Sequence, residues 1–199
     1  MTDARTIHRP HPVLSGFGLT LRAWELGDAD AMLAGVTDPE LLRWNTPRIP
    51  VTDLEGVRAV LEARAAAWDR GDMVMFAVAE EGTGLVVGHV GLHAINPSMR
   101  CAGVGYWTLP DHRGRGIARR ALEVCTRWGF EETGRGGLGL HRVELGHALG
   151  HEASCLVAER AGYRYEGTRR GGMHEAHDLT AFRDAHGHAR LASDPYPAP

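Results

Sequence analysis

Hydrophobic and polar positions alternate with period two over Leu19-Thr20-Leu21-Arg22-Ala23-Trp24, the pattern of a strand with one buried face. From Asp28 the spacing becomes that of a short helix holding Met32 and Leu33. A second helical turn starts at Pro39 and holds Leu41 and Leu42. Thr52-Asp53-Leu54-Glu55 reads as a capping box with Thr52 as the cap. Leu54, Val57, Leu61 and Trp68 then repeat at helical spacing up to Gly71. Met73 to Ala79 and Leu85 to Ile95 are β-rich runs around Glu80-Glu81-Gly82-Thr83-Gly84, a hairpin with a glycine-containing loop. Cys101 to Leu109 is a further strand, ended by Pro110. Ile117, Ala121, Val124, Cys125 and Trp128 mark one face of a long helix. Thr133 to Leu140 is a glycine-rich turn, Arg142 to Leu145 a strand, and residues 152–161 a short helix closed by Gly162. Tyr163 to Thr168 and Ala176 to Phe182 are two further strand candidates. Residues 1–16 read as an irregular arm, and residues 185–199, His-rich and then Pro-rich, as a flexible tail. The order of elements predicts a mixed α/β fold with a largely antiparallel first half.

A length of 199 residues predicts one domain over 1–199. At 43% hydrophobic and 24% charged, the chain has an ordinary globular composition. Its net charge of −3 argues against a general nucleic-acid or membrane-surface binder, which needs a basic surplus. No run approaches the roughly 18 apolar residues of a membrane helix, and the first residues lack a signal-peptide pattern. A cytoplasmic protein is expected. Cys101, Cys125 and Cys155 form neither a disulfide framework nor a CxxC site and are expected to be reduced.

The most telling string is Asp111-His112-Arg113-Gly114-Arg115-Gly116-Ile117-Ala118-Arg119-Arg120, between a strand and the long helix. The first turn of a helix leaves amides without intrahelical partners, and its dipole favours negative charge. Gly114 and Gly116 remove Cβ atoms, so a phosphate can approach the backbone. Arg113, Arg115, Arg119 and Arg120 add positive charge; the alternative is a helix start with solvated arginines. A literal GxGxxG at Gly134 to Gly139 follows a helix and precedes a strand. That is the wrong order for a dinucleotide fingerprint, so it reads as a turn. The twelve histidines include the close pairs His174/His177 and His186/His188, but no HExxH or Cys/His zinc spacing. They read as scattered surface residues, and no metal is expected. His93 and His147 are weighed instead as pocket-lining residues.

Arg113-x-x-Gly116-x-Ala118, on a strand-to-helix turn, resembles the Arg/Gln-x-x-Gly-x-Gly/Ala signature of the GNAT N-acetyltransferase superfamily. Gly88-His89-Val90-Gly91-Leu92 and Gly103-Val104-Gly105-Tyr106-Trp107 resemble the two strands that precede it. His151-Glu152-Ala153-Ser154, then Val157 to Tyr163 and Glu166-Gly167, resembles the Asn-x-x-Ser…Gly-Phe…Glu-Gly segment of the branch with ribosomal-protein N-terminal acetyltransferases. The likeness runs from about Leu19 to Asp178. It implies a mostly antiparallel sheet of about seven strands flanked by helices. It implies acetyl-CoA as co-substrate, with the pyrophosphate on the amides of Arg113, Gly114, Arg115, Gly116, Ile117, Ala118 and Arg119. It implies an amide near Trp107 and Thr108 that polarises the thioester carbonyl where two strands splay. Two positions depart from the pattern: the usual Asn falls on His151, counted here with the cofactor-binding residues, and a Tyr that protonates the thiolate in many members falls on Ala158. Ser154, four residues before Ala158 and so on its face, is then expected to hydrogen-bond the leaving thiolate. Strand parity puts Arg142, Glu144 and Gly146 on one side of their strand. Glu144 beside the cleft is the candidate base, against a salt bridge to a neighbouring Arg. The implied acceptor is a protein or peptide N-terminal amine. Aminoglycosides or polyamines, and a non-catalytic CoA-binding module, are the alternatives. The loop from Arg43 to Pro50 and the last strand pair are expected to line the acceptor pocket. Hydrophobic strands near the C-terminus suggest a homodimer.

Overall fold

The chain contributes β1 (Leu14–Gly16), β2 (Leu19–Ala23), α1 (Ala29–Val36), α2 (Pro39–Trp44), α3 (Leu54–Arg70), β3 (Val74–Glu80), β4 (Val86–Asn96) and β5 (Cys101–Thr108). Then follow α4 (Ile117–Phe130), β6 (Arg142–Ala148), α5 (Glu152–Arg160), β7 (Arg164–Glu175) and β8 (Asp178–Leu191). The structure is a computed structural model that describes residues 11–45, 47 and 50–197. One eight-stranded sheet runs in the order β1-β2-β3-β4-β5-β6-β8-β7. Its pairs are antiparallel except for β5 with β6, which is parallel. A parallel pair needs a long crossover, and α4 supplies it.

Local chemistry explains the helix ends. Asp38 caps α2 by accepting from the Leu41 amide at 2.8 Å, and Pro39 takes the first helical position, where a missing N–H costs nothing. The cap of α3 is Asp53, which accepts from the Gly56 amide at 2.8 Å. The expected Thr52 cap is therefore displaced by one residue: Asp53 takes the cap and accepts from its own N3 amide, that of Gly56. Gly71, with φ of 76°, closes this helix in the left-handed region that favours glycine.

The main core lies between the sheet and α4, with Leu19, Leu21, Phe76, Leu92, Leu122 and Leu145 all buried. Ala158 of α5 joins the same cluster. Met32, Val57 and Leu61 join α1 to α3 in a second cluster. Parity within β5 separates the two sides: Val104 and Tyr106 belong with the main core, whereas Trp107 meets Trp24 and His89.

Three expectations change. Residues 14–16 of the supposed arm pair with β2, which raises the strand count to eight. The two last strands are longer than their hydrophobic runs suggest. The supposed tail begins with the buried end of β8, where Arg190 is 0% exposed. That end alternates small and polar residues (Ala185, His186, Gly187, His188, Ala189, Arg190), of which His188 and Arg190 are buried and His186 half-buried. Arg190 donates to Glu123 of α4 at 2.6 Å and to the Ala161 carbonyl at 3.0 Å. Residues 1–10 and 198–199 of the predicted arm and tail lie outside the described residues. Among the described residues, no helix is long and apolar enough to cross a membrane.

Candidate functional site

Parallel pairing of β5 with β6 runs from Cys101↔Arg142 to Val104↔Leu145 and stops there. Beyond that point β5 stays with β4 as far as Gly88↔Thr108, and β6 stays with β8 as far as Ala148↔Ala185. The two strands are thus drawn apart by their other partners. A cleft of about 410 Å³ opens where they separate. Tyr106, Trp107 and Thr108 form one wall, and Gly146 and His147 the other. His151, the cap of α5, Ser154 within it, Trp44 of α2, and Arg113, Gly114, Gly116, Ile117 and Ala118 complete it.

The glycine loop sits at one end. Gly114 and Gly116 have φ of 75° and 69°, so glycine is favoured by the backbone itself. A Cβ at either position would meet open space, which leaves their faces accessible. The first intrahelical bond of α4 runs from the Arg120 amide to the Gly116 carbonyl at 3.1 Å. The amides of Ile117 and Ala118 therefore have no acceptor within the helix and can serve an anion. The arginines do something the sequence did not suggest. Arg113 donates to Asp38, the buried cap of α2. Arg115 donates to Glu80 at 2.6 Å and lies 2.9 Å from His112 Nδ1, and Arg120 donates to the Phe17 carbonyl at 2.6 Å. These three side chains brace the loop, and the backbone is the part left to hold a ligand. Arg119 and Ile117 also line the cleft.

At the other end, the Tyr106 hydroxyl lies 2.8 Å from the Ser154 hydroxyl. Ser154 and Ala158 are the buried residues of α5, as their i, i+4 spacing requires. Burial pushes the Tyr106 phenol up to about 12, and the Ser154 hydrogen bond only partly offsets this. The phenol is therefore protonated at neutral pH. The sequence marks Tyr106 only as part of a strand, although strand parity from Val104 puts it on the same side. His151 stacks on Trp44, with centroids 4.4 Å apart and planes 2° from parallel. Burial first, and then neighbouring His147, lower its pKa to about 4. Trp107 packs its indole against Trp24, His89 and Gly35, so its backbone is what remains for the cleft.

Glu144 does not join this group. It is exposed on β6, on the face opposite Val143, Leu145 and His147, and is absent from the cleft walls. Arg142 donates to it at 2.8 Å and holds Glu166 with its other nitrogens. The salt-bridge alternative is the one that the geometry realises. His147 lines the cleft; His93 is exposed and packs over Gly103 instead. The histidines are not all at the surface either: His89, His147 and His188 are buried. Of the loop expected at the acceptor end, Trp44 and Asn45 line the cleft, while Thr46, Arg48 and Ile49 lie outside the described residues.

A family model for an acetyltransferase (GNAT) domain matches residues 18–164. YdaF of Bacillus subtilis (strain 168), named provisionally as a ribosomal N-acetyltransferase, is 34% identical over 102 residues. That match covers 50% of this chain and 53% of YdaF, so the similarity spans about half the length of that relative. YoaA of the same organism, an uncharacterized N-acetyltransferase, is 25% identical over 164 residues, 82% of this chain and 89% of YoaA. Among solved structures, RimJ of Mycobacterium smegmatis in complex with CoA-disulfide superposes with a TM-score of 0.78 at 24% identity, covering 92% of this chain and 86% of that one. RimL, a ribosomal L7/L12 α-N-protein acetyltransferase in complex with coenzyme A, gives 0.77 at 22%, covering 92% and 100%.

Proposed function

This chain belongs to the GNAT family of acetyl-CoA-dependent N-acetyltransferases, and from that premise we propose that its acceptor is the N-terminal amine of a protein or peptide. The rim of the cleft supports the acceptor class, and the observation that carries the chemistry is the parting of β5 and β6 after Val104 and Leu145. It joins the glycine loop to the Tyr106–Ser154 pair in one cleft.

The thioester of acetyl-CoA supplies an activated acyl group. The residues of this chain bind, orient and protonate. The amides of Gly114 to Ala118 hold the pyrophosphate and so fix where the reacting carbon lies. The β5 backbone around Trp107 and Thr108 polarises the thioester carbonyl. The amine attacks in its neutral form, and its proton leaves through water in the open cleft, since Glu144 is turned away. Ser154, with Tyr106 behind it, donates a hydrogen bond to the departing sulfur. A phenol held up to about 12 keeps its proton for that donation.

The rim favours a peptide. The Arg43 and Arg183 guanidiniums lie 4.9 and 5.7 Å from the Trp44 ring, and Arg183 donates to the Arg43 carbonyl at 3.1 Å. Arg43 is paired with Glu40 at 3.8 Å and Arg183 with Glu175 at 3.5 Å, so beside the apolar wall of Trp44 and Met173 the rim offers no excess of acidic charge to a polyamine or aminoglycoside. Such a rim suits a peptide without a dense positive charge, in keeping with the ribosomal acceptors named for YdaF and RimL. The test is release of free thiol from acetyl-CoA with a panel of amines. Peptides with a free α-amine should turn over, and the same peptides blocked at that amine should not. Faster turnover of spermidine or an aminoglycoside would overturn the acceptor class. Tight acetyl-CoA binding without turnover of any amine would make the chain a CoA-binding module.

A further inference from the structure

At the β6 wall of the cleft, one ring nitrogen from each of His147, His186 and His188 and the Cys155 sulfur lie within 4.8 Å of one another. Three elements bring them together. His147 stands on β6 directly opposite His186 of β8, and His188 follows two residues later on the same face. Cys155 reaches them from the first turns of α5.

Two of the spacings about His188 are those of a coordination shell, and the remaining ligand atoms lie close enough to move onto a shared ion. Two nitrogens each about 2.0–2.1 Å from a tetrahedral zinc ion stand about 3.3 Å apart, and a zinc-bound sulfur stands about 3.6 Å from such a nitrogen. Here His147 Nε2 and His188 Nε2 are 3.2 Å apart, and Cys155 Sγ is 3.8 Å from the same His188 nitrogen. His147 Nδ1 lies 3.0 Å from the Ala148 carbonyl. Donation there fixes the tautomer and leaves the Nε2 lone pair facing the cluster, as the outer shell of a metal-bound histidine does. His186 Nδ1 is buried without a hydrogen-bond partner among the described residues. An ion would satisfy nitrogens that a bare cluster leaves facing one another.

We propose that His147, His186, His188 and Cys155 form a four-ligand site for one zinc-class divalent ion, which clamps α5 to β6 and β8. Three imidazoles and a thiolate suit a borderline-soft ion and not calcium or magnesium, which take oxygen ligands. Four protein ligands close the shell, so the role of the ion is structural, bracing the cleft wall without taking part in acetyl transfer. Burial keeps His147 and His188 below the usual imidazole range, so both are neutral donors at neutral pH. Burial and Glu159 raise the Cys155 thiol, so the entering ion must displace its proton to solvent.

The test uses untagged, chelator-treated full-length protein titrated with Zn²⁺ alone and with Co²⁺ alone. One ion should bind per chain and raise the melting temperature. The cobalt form should show tetrahedral visible bands and a thiolate charge-transfer band. His188 is fully enclosed and its variants risk misfolding, so the half-buried ligands carry the comparison. Cys155→Ala should remove the charge-transfer band, and both Cys155→Ala and His186→Ala should weaken binding at least about tenfold. Failure of the folded wild type to bind one ion would overturn the site. So would undiminished affinity in either folded variant, or an octahedral cobalt spectrum without the thiolate band.

Discussion

The Tyr106 and Ser154 hydroxyls, 48 residues apart in sequence, stand 2.8 Å apart at the point where β5 leaves β6. A phenol on the strand thus stands beside Ser154, one turn before Ala158 on the same face of α5. Ser154→Ala should lower turnover well beyond any change in acetyl-CoA affinity. Tyr106→Phe should do the same by at least about tenfold, the lower end of acid–base assistance being larger still. Because the phenol stays protonated up to about 12, wild-type turnover should not fall between pH 8 and 10 through its ionisation. Steady-state rates and acetyl-CoA dissociation constants for both variants check this. Wild-type turnover in both would mean that solvent alone protonates the thiolate.

Much of this arrangement was readable in the chain. The period-two run at Leu19 to Trp24 is β2, and the glycine pair opens α4 with the positive φ that only a side-chain-free residue adopts readily. Ser154 and Ala158 share a face because helical spacing requires it. What the sequence hid were matters of partnership. Arg113, Arg115 and Arg120 look like phosphate ligands until Asp38, Glu80 and the Phe17 carbonyl are found beside them. Parity grouped Glu144 with Arg142 and Gly146 on one face of its strand, but parity cannot say which face meets the cleft, and Glu144 is turned away from it. The β8 end resembles a tail because His186, His188 and Arg190 are polar; their burial depends on His147, Cys155 and Glu123, which come from elsewhere in the chain.

The glycine loop makes a direct prediction. At Gly116 a Cβ meets no atom, so steric crowding within the protein does not complicate a substitution, but φ of 69° disfavours branched side chains. Asn tolerates that region. Gly116→Asn should therefore fold yet place a side chain where the pyrophosphate approaches. Acetyl-CoA affinity should drop at least tenfold, or about 1.4 kcal/mol. Calorimetric titration measures it, and an unchanged dissociation constant would remove the pyrophosphate from this loop.

The Arg190–Glu123 pair predicts a stability effect far from the cleft. Arg190 is fully buried, and Glu123 also accepts from Arg127 at 2.6 Å. Removing one partner of a buried pair typically costs about 3–5 kcal/mol, because the other charge stays behind. Arg127 moderates this, so Arg190→Met should cost about 3 kcal/mol. Adding Glu123→Leu should recover most of the loss, since an apolar pair of similar volume is often neutral. Urea unfolding of the single and double variants tests the pair; equal destabilisation by both would assign the effect to packing alone.

His151 gives a pH dependence with a definite sign. Its folded pKa of about 4 lies below the ordinary 6.5, because burial under Trp44 and the nearby His147 disfavour its charged form. Between these two values the unfolded chain binds a proton that the folded chain does not. Stability therefore rises with pH across that window and is lost as pH falls from 6.5 toward 4. His151→Gln should flatten this slope by removing the group. Trp44→Ala should instead admit water to the ring and move its titration back toward 6.5 without removing it. The His151 ring-proton shifts, followed by NMR from pH 3.5 to 7.5, read the titration directly. An inflection near 6.5 in the wild type would show that stacking on Trp44 does not exclude water, and the predicted slope would then vanish.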